Sequence, residues 1–157
     1  MTTDKAGRPD PIAAWRSMLL AHSRALRAIE SELEAAGTIP LTWYDVLLEL
    51  NGAGGRLRMQ ELGDRVVLSR TRVSRLVDDL ERRNLVVRRP DDTDGRVTYA
   101  TITADGKKML RAAAPVYRQG IEHHFTRHLT DDEQQIIAAA LTRVVEAHQS
   151  TGEPRRR

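Results

Sequence analysis

SRTRVSRLVDDLERRN, residues 69–84, decides how this chain is read. Arg70, Arg72 and Arg75 crowd its first half, while Asp78, Asp79 and Glu81 fill its second. Val73, Leu76, Val77 and Leu80 recur at i, i+3, i+4 and i+7, the period of one helix face. Ser69 is placed to cap the helix and Asn84 to end it in the left-handed conformation. A helix macrodipole prefers anions first and cations last. This helix has the reverse order, so something must offset that cost. At about 100° per residue, Thr71, Ser74, Arg75 and Asp78 centre opposite the apolar stripe, flanked by Arg72 and Asp79. Arg70 lies in the first turn and can reach past the helix end. Small residues and arginines therefore meet on an exposed surface at the helix N-terminus. A helix entering the DNA major groove needs that arrangement: Thr71 and Ser74 allow close approach, and Arg72 and Arg75 reach guanine edges or phosphates. Free N–H groups at the helix start favour a phosphate as well. The reversed electrostatics cost about 0.3–1 kcal/mol per charge. A bidentate arginine–guanine contact contributes about 1–3 kcal/mol of discrimination, which outweighs it. Taken alone, the same charges are equally readable as a solvated face.

The flanking segments break that tie. Upstream, RMQELGDRV (58–66) reads as a short helix, with Leu57 and Leu62 supplied from this helix to hold the pair together. Before it, Thr42 reads as the cap of a helix with Trp43, Val46, Leu47 and Leu50 on one face, ended by the turn NGAGG (51–55). Downstream, LVVRR (85–89) and RVTYATI (96–102) are rich in β-branched residues and separated by the turn residues PDDTDG, so they read as a hairpin. Short helix, turn, amphipathic helix and hairpin are the order of a winged helix-turn-helix. The predicted fold is mainly α with a small β-hairpin wing.

Two longer helical regions enclose this unit. Asp10 and Pro11 read as an N-cap and first helical position. Ile12, Trp15, Leu19, Leu26, Ile29 and Leu33 then follow at spacings of three and four, with His22 completing the seam. Thr103 opens a helix over about 104–127 in which Pro115 is expected to place a kink. Thr130-Asp-Asp-Glu133 is a capping box for a last helix to about His148. Residues 1–41 read as an N-terminal arm and long helix, 42–102 as a compact DNA-binding unit, and 103–149 as C-terminal helices, the outer helices having no obvious partner except each other or a second subunit. Residues 150–157 read as a disordered basic tail.

Bulk properties agree. The 157 residues are 40% hydrophobic and 30% charged, with net charge +3 and pI about 9.7, mildly basic and compatible with a polyanion partner. There is no cysteine, which excludes disulfides, thiol redox sensing and thiolate-ligated metals. No apolar run is long enough for a signal segment or a membrane span, so the expected location is cytoplasmic, with no membrane partner.

LTWYDVLLEL (41–50) and LRMQELGDRVVLSRTRVSRLVDDLERRNLVVRRPDDTDGRVTYATITADG (57–106) resemble the MarR family of transcriptional regulators. The likeness spans about residues 12–147. Asp94-Gly95-Arg96, closed by Ile102-Thr103 and Gly106, is its most specific element, followed by the helix core VSRLVDDLE. The resemblance implies an obligate homodimer joined by the first and last helices. It implies that Ser69, Arg70, Thr71, Arg72, Ser74 and Arg75 face the major groove. It further implies that Arg96 enters the minor groove, held by Asp94, which suits a narrow, strongly negative groove. Gly95 stands where a second basic residue is common, Asn84 where glycine is usual, and Val67 where many helix-turn-helix proteins have glycine.

Related proteins bind effectors beside the helices that here carry Trp15, Trp43, Tyr44 and Asp45. Trp15, Asp45 and Arg88 partly echo the urate-responsive branch, although Leu76 stands where its second arginine is expected. Trp15, His22, Trp43, Asp45 and Arg88 are thus the candidate effector residues. The plainer readings are core packing for the tryptophans, a cap interaction with Thr42 for Asp45, and an interface histidine for His22, which could instead sense pH. His124 and His128 have i, i+4 spacing that could bind zinc, but no third ligand is evident and surface histidines are the simpler reading. DDTDG fails as a calcium loop, since Pro90 and Thr101 would occupy its first and twelfth positions. No catalytic constellation, phosphate-binding glycine loop or cofactor is indicated.

The resulting expectation is a homodimeric duplex-DNA regulator, a repressor released by a small molecule, acting on a near-palindromic operator. The alternatives are a winged helix used as a protein-interaction module and, last, a small enzyme.

Overall fold

A computed structural model describes residues 10–66 and 70–149. Helix α1 spans Pro11–Ala35, and Asp10 caps it by accepting a 2.9 Å hydrogen bond from the Ile12 amide. Helix α2 follows at Leu41–Gly52, then strand β1 at Arg56–Arg58, helix α3 at Met59–Arg65 and helix α4 at Arg70–Arg82. Strands β2 (Val86–Pro90) and β3 (Thr98–Ile102) form the hairpin. Helix α5 (Ala104–His124), a 3-10 turn at Thr126–His128 and helix α6 (Asp131–Gln149) complete the order. The sheet is antiparallel in the order β1-β3-β2.

Local signals explain most of these ends. Asn84 ends α4 with φ 57°, as its position after the apolar stripe predicts. Thr130 and Glu133 form the expected capping box: Glu133 Oε2 accepts from the Thr130 amide at 2.8 Å. Thr103 caps α5 by accepting from the Gly106 amide at 3.0 Å, and its hydroxyl donates to the Asn84 carbonyl at 2.7 Å.

Four expectations are corrected. Thr42 is not the cap of α2. The carbonyl of Pro40 accepts from the Trp43 and Tyr44 amides at 3.0 Å, so the helix starts at Leu41 without a side-chain cap, and Asp45 has no cap to share with Thr42. Leu57 lies on β1, not on a helix; Leu57 pairs with Ala100, a long-range partner that local pattern does not reveal. The hairpin arms are shifted to 86–90 and 98–102, because Arg96 and Val97 belong to the turn, where the Val97 amide donates to the Asp94 carbonyl at 2.9 Å. Helix α5 runs through Pro115 but stops at His124, where Phe125 leaves the helical region at φ −138°. His124 and His128 therefore do not share one helix face. The expected cap Ser69, the turn residues Val67 and Leu68, the first nine residues and the tail 150–157 lie outside the described residues.

The core is continuous. Leu33 of α1, Leu47 and Leu50 of α2, Leu62 of α3, Val77 and Leu80 of α4, and Ala100 of β3 are all fully buried. Gly106 brings α5 onto the base of the hairpin: a Cβ there would stand 2.2 Å from the Leu85 carbonyl oxygen. Gly120 does the same between α5 and α1, where a Cβ would meet Ile29 and Glu32 at 3.0 Å. The ends of the long helices are different. Ile12 and Trp15 of α1 are 73% and 60% exposed, and Ile136, Val144 and Val145 of α6 are 66%, 54% and 55% exposed. Among the described residues no helix is long and apolar enough to cross a membrane.

Candidate nucleic-acid interface

Helix α4 turns Val73, Val77 and Leu80 into the core at 1%, 0% and 0% exposure, with Leu76 half-buried beside them. That fixes the rotation of the helix. Arg72, Ser74, Arg75 and Asp78 are exposed on the other side, the face expected of them. The backbone of Arg70 and Thr71 lies in the first turn of α4; their side chains, and all of Ser69, fall outside the described residues.

The acidic half of α4 has its own task. The guanidinium of Arg88, on β2, donates from Nη1 to Asp78 at 2.6 Å and to Glu81 at 2.9 Å, and from Nη2 to the Ser74 carbonyl at 3.0 Å. The Arg88 amide also donates to Glu81 at 2.9 Å. Its side chain is 22% exposed while those of Asp78 and Glu81 are 49% and 41% exposed, so the guanidinium is the sheltered member of a cluster at the surface. The bonds tie the hairpin to the helix and set the angle between them. Asp79 pairs with Arg82 one turn on. The reversed charge order of α4 thus splits into two functions: cations at the free end, and anions where the wing attaches. Sequence reasoning placed Arg88 among effector residues. The available signal was a pair of acids three apart on one helix, followed by an arginine in the next strand.

At the wing tip, Asp94 Oδ1 accepts from the Arg96 amide at 3.0 Å. It shapes the turn through the backbone and leaves the exposed Arg96 side chain to reach outward. Asp91 organises the same turn by accepting from the amides of Thr93 and Asp94 at 2.9 and 3.1 Å, which with the Thr93 hydroxyl holds its carboxyl at about 2. A cleft of about 500 Å³ lies between the tip and α4, lined by Arg58, Met59, Ser74, Arg88, Arg96 and Val97 among others.

The five candidate effector residues have separate surroundings. Trp15 and His22 are exposed on α1. Trp43 is half-buried, with the Arg83 guanidinium 5.5 Å from its ring centroid. Asp45 is half-buried on α2, and burial, then the neighbouring Glu49, push its carboxyl up to about 6. Beside it the rings of Tyr44 and Tyr117 lie 4.4 Å apart. Arg88 is engaged by α4. His124 Nε2 stands 2.7 Å from Glu32 Oε1, joining α5 to α1, while His128 sits in the 3-10 turn.

The chain matches the MarR family pattern over residues 38–97. It is 30% identical over 126 residues to the HTH-type transcriptional regulator MhqR of Bacillus subtilis, covering 78% of this chain and 85% of that one. Among solved structures, it superposes on AbsC, a MarR family transcriptional regulator from Streptomyces coelicolor, with a TM-score of 0.80 and 25% identity over 94% of this chain and 99% of that one. Sco3205, a MarR family transcriptional regulator from the same organism solved in complex with DNA, gives 0.79 and 26%, covering 92% of each chain.

Proposed function

The chain belongs to the MarR family of transcriptional regulators, and on that premise we propose that it binds duplex DNA sequence-specifically as a homodimer, and that it is a repressor released by a small-molecule effector. The observation that carries the reading is the fixed rotation of α4. Burial of Val73, Val77 and Leu80 leaves Arg72, Ser74 and Arg75 facing outward at the helix end, and the Arg88 fork holds the wing beside them. Residues 42–102 would form the DNA-binding unit in this arrangement. Ser69, Arg70, Thr71, Arg72, Ser74 and Arg75 would meet base edges and phosphates in the major groove, and Arg96 would enter the adjacent minor groove. The long helices on either side, 1–41 and 103–149, would join two copies. Two recognition helices related by a two-fold axis read half-sites about one DNA turn apart, so the operator is a near-palindrome. The effector class is left to experiment, with Trp15, His22, Trp43, Asp45 and Arg88 as the residues to vary first.

The test is fluorescence anisotropy against duplexes tiled from the DNA flanking the gene, at two salt concentrations. A specific regulator binds one tile far above the rest and keeps that preference at the higher salt. Uniform binding that disappears with salt leaves only the phosphate contribution and removes the recognition-helix assignment; the winged helix would then be a protein-interaction module.

A further inference from the structure

The sheet has an outward face that the recognition helix and the wing tip do not use. Leu57, Val86, Ala100 and Ile102 are buried on the inner face, so strand alternation turns Arg56, Arg58, Arg89, Tyr99 and Thr101 outward. On that face Tyr99, of the central strand, stands opposite Arg58 on one side and Arg89 on the other. The Arg56 guanidinium lies 4.8 Å from the Tyr99 ring centroid, and Arg58 Nε donates to its hydroxyl at 3.2 Å. Stacking on a ring orders a guanidinium without consuming its hydrogen-bond donors.

Arg56, Arg89, Tyr99 and Thr101 line a cleft of about 320 Å³ that is closed at the wing end by Asp91 and Asp92. Neither Arg56 nor Arg89 forms an ion pair among the described residues, although those two carboxylates line the same cleft. Asp91 is instead bound to the amides and hydroxyl of its own turn. Two guanidinium forks are therefore presented outward with no hydrogen-bond partner among the described residues, and Arg89 is one ladder pair from the end of the hairpin whose turn carries Arg96.

We propose that this outer sheet face grips backbone phosphates of the duplex beyond the minor groove that Arg96 enters, so that the protein holds more DNA than its base-reading elements span. The proposal rests on the DNA-binding reading above. Arginine forks match phosphate oxygens bidentately, and the strip begins at Arg89, beside the wing turn, and runs back along the sheet to Arg56. Phosphate contacts of this kind carry no base information: they add affinity and salt dependence but leave sequence preference unchanged.

The experiment uses the full chain, the preferred tile trimmed to its core, and the same core lengthened by half a turn of unrelated sequence at each end. Anisotropy titrations over a range of salt compare wild type with the double variants Arg56→Gln/Arg89→Gln and Arg56→Lys/Arg89→Lys. Wild type is expected to bind the longer duplex more tightly. The glutamine variant is expected to bind the core like wild type, to show no benefit from lengthening, and to have a log–log salt slope shallower by about 0.9 for each phosphate it no longer neutralises. The lysine variant keeps most of the slope. Circular dichroism checks that both variants remain folded, as expected for exposed side chains. If the glutamine variant benefits from lengthening as much as wild type, the proposal is overturned and the regulator reading stands. If wild type prefers no tile at all, both fail together.

Discussion

Arg75 is carried by α4 itself, whereas Arg88 lies on β2 and hydrogen-bonds to α4, so the two are expected to affect binding in different ways. Arg75 is exposed on the face proposed to read bases. Arg75→Ala should cost about 1–3 kcal/mol of operator affinity and relax preference at one position per half-site, read by titrating single-base operator variants. Arg88 holds Asp78 and Glu81. Arg88→Ala should lower stability by about 1–2 kcal/mol, between an exposed pair and a charged hydrogen bond, and weaken binding without changing base preference. Arg88→Lys keeps the charge but not the fork, and should restore little of that binding. Asp45 makes a pH prediction. Burial raises its carboxyl to about 6, above its usual value, so the folded chain holds a proton that the unfolded chain has released. Stability attributable to Asp45 is therefore present at low pH and lost as pH rises from about 4 to about 6. Asp45→Asn should raise the urea midpoint at pH 7.5 (about neutral conditions) more than at acid pH, and a larger gain in acid would refute the assignment.

Among the elements, α5 depends on one backbone approach. Its first turn meets the hairpin at Gly106, where an added Cβ would stand 2.2 Å from the Leu85 carbonyl oxygen and 2.8 Å from Ile102 Cγ1. That oxygen also accepts from the Thr103 amide at 3.0 Å, so it cannot retreat without loosening the joint. Gly106→Ala should destabilise by about 1–3 kcal/mol in urea unfolding, the range for overpacking. Gly95→Ala is the matched control, since nothing lies within 4 Å of a Cβ there, and it should be near neutral. Legibility in the sequence follows the range of the forces that form each element. Helix α4 was readable because its apolar period and its end at Asn84 are local. Strand β1 was not, because three residues become a strand only when β3 arrives to pair with them. The start of α2 was misread at Thr42 because Pro40 opens the helix through its carbonyl, with no side-chain signal.

At the scale of the whole molecule, the exposed apolar residues are where the proposed homodimer would form. Ile12, Trp15 and Leu19 on α1 and Ile136, Val144 and Val145 on α6 are exposed, and runs of exposed apolar residues on helices mark interaction surfaces. A homodimer burying these helices has an unfolding midpoint that rises with protein concentration. Sedimentation should give two chains per particle. Val145→Asp should weaken association about ten- to a hundredfold, the value of one buried valine. Operator affinity should fall with it, since two linked half-sites become separate ones. A Val145→Asp dimer as stable as the wild-type one would remove α6 from the interface.

The order of the helices and the hairpin, the rotation of α4, its end at Asn84 and the separation of cationic from anionic halves were determined by the sequence itself, because helical period and capping act within a few residues. The exposure of Arg72, Ser74, Arg75 and Arg96 was legible for the same reason: exposure on a helix or at a turn follows from local geometry. What the acids of α4 are for was decided only by the tertiary structure. Asp78 and Glu81 become the wing's anchor when Arg88, 10 and 7 residues away, folds back upon them. The basic outer face of the sheet appears in the same way, when β3 sets Tyr99 between arginines brought from either side of α4 in the sequence. Those charges are far apart in sequence, and Coulombic and hydrogen-bonding forces act over distances that only the folded chain makes short.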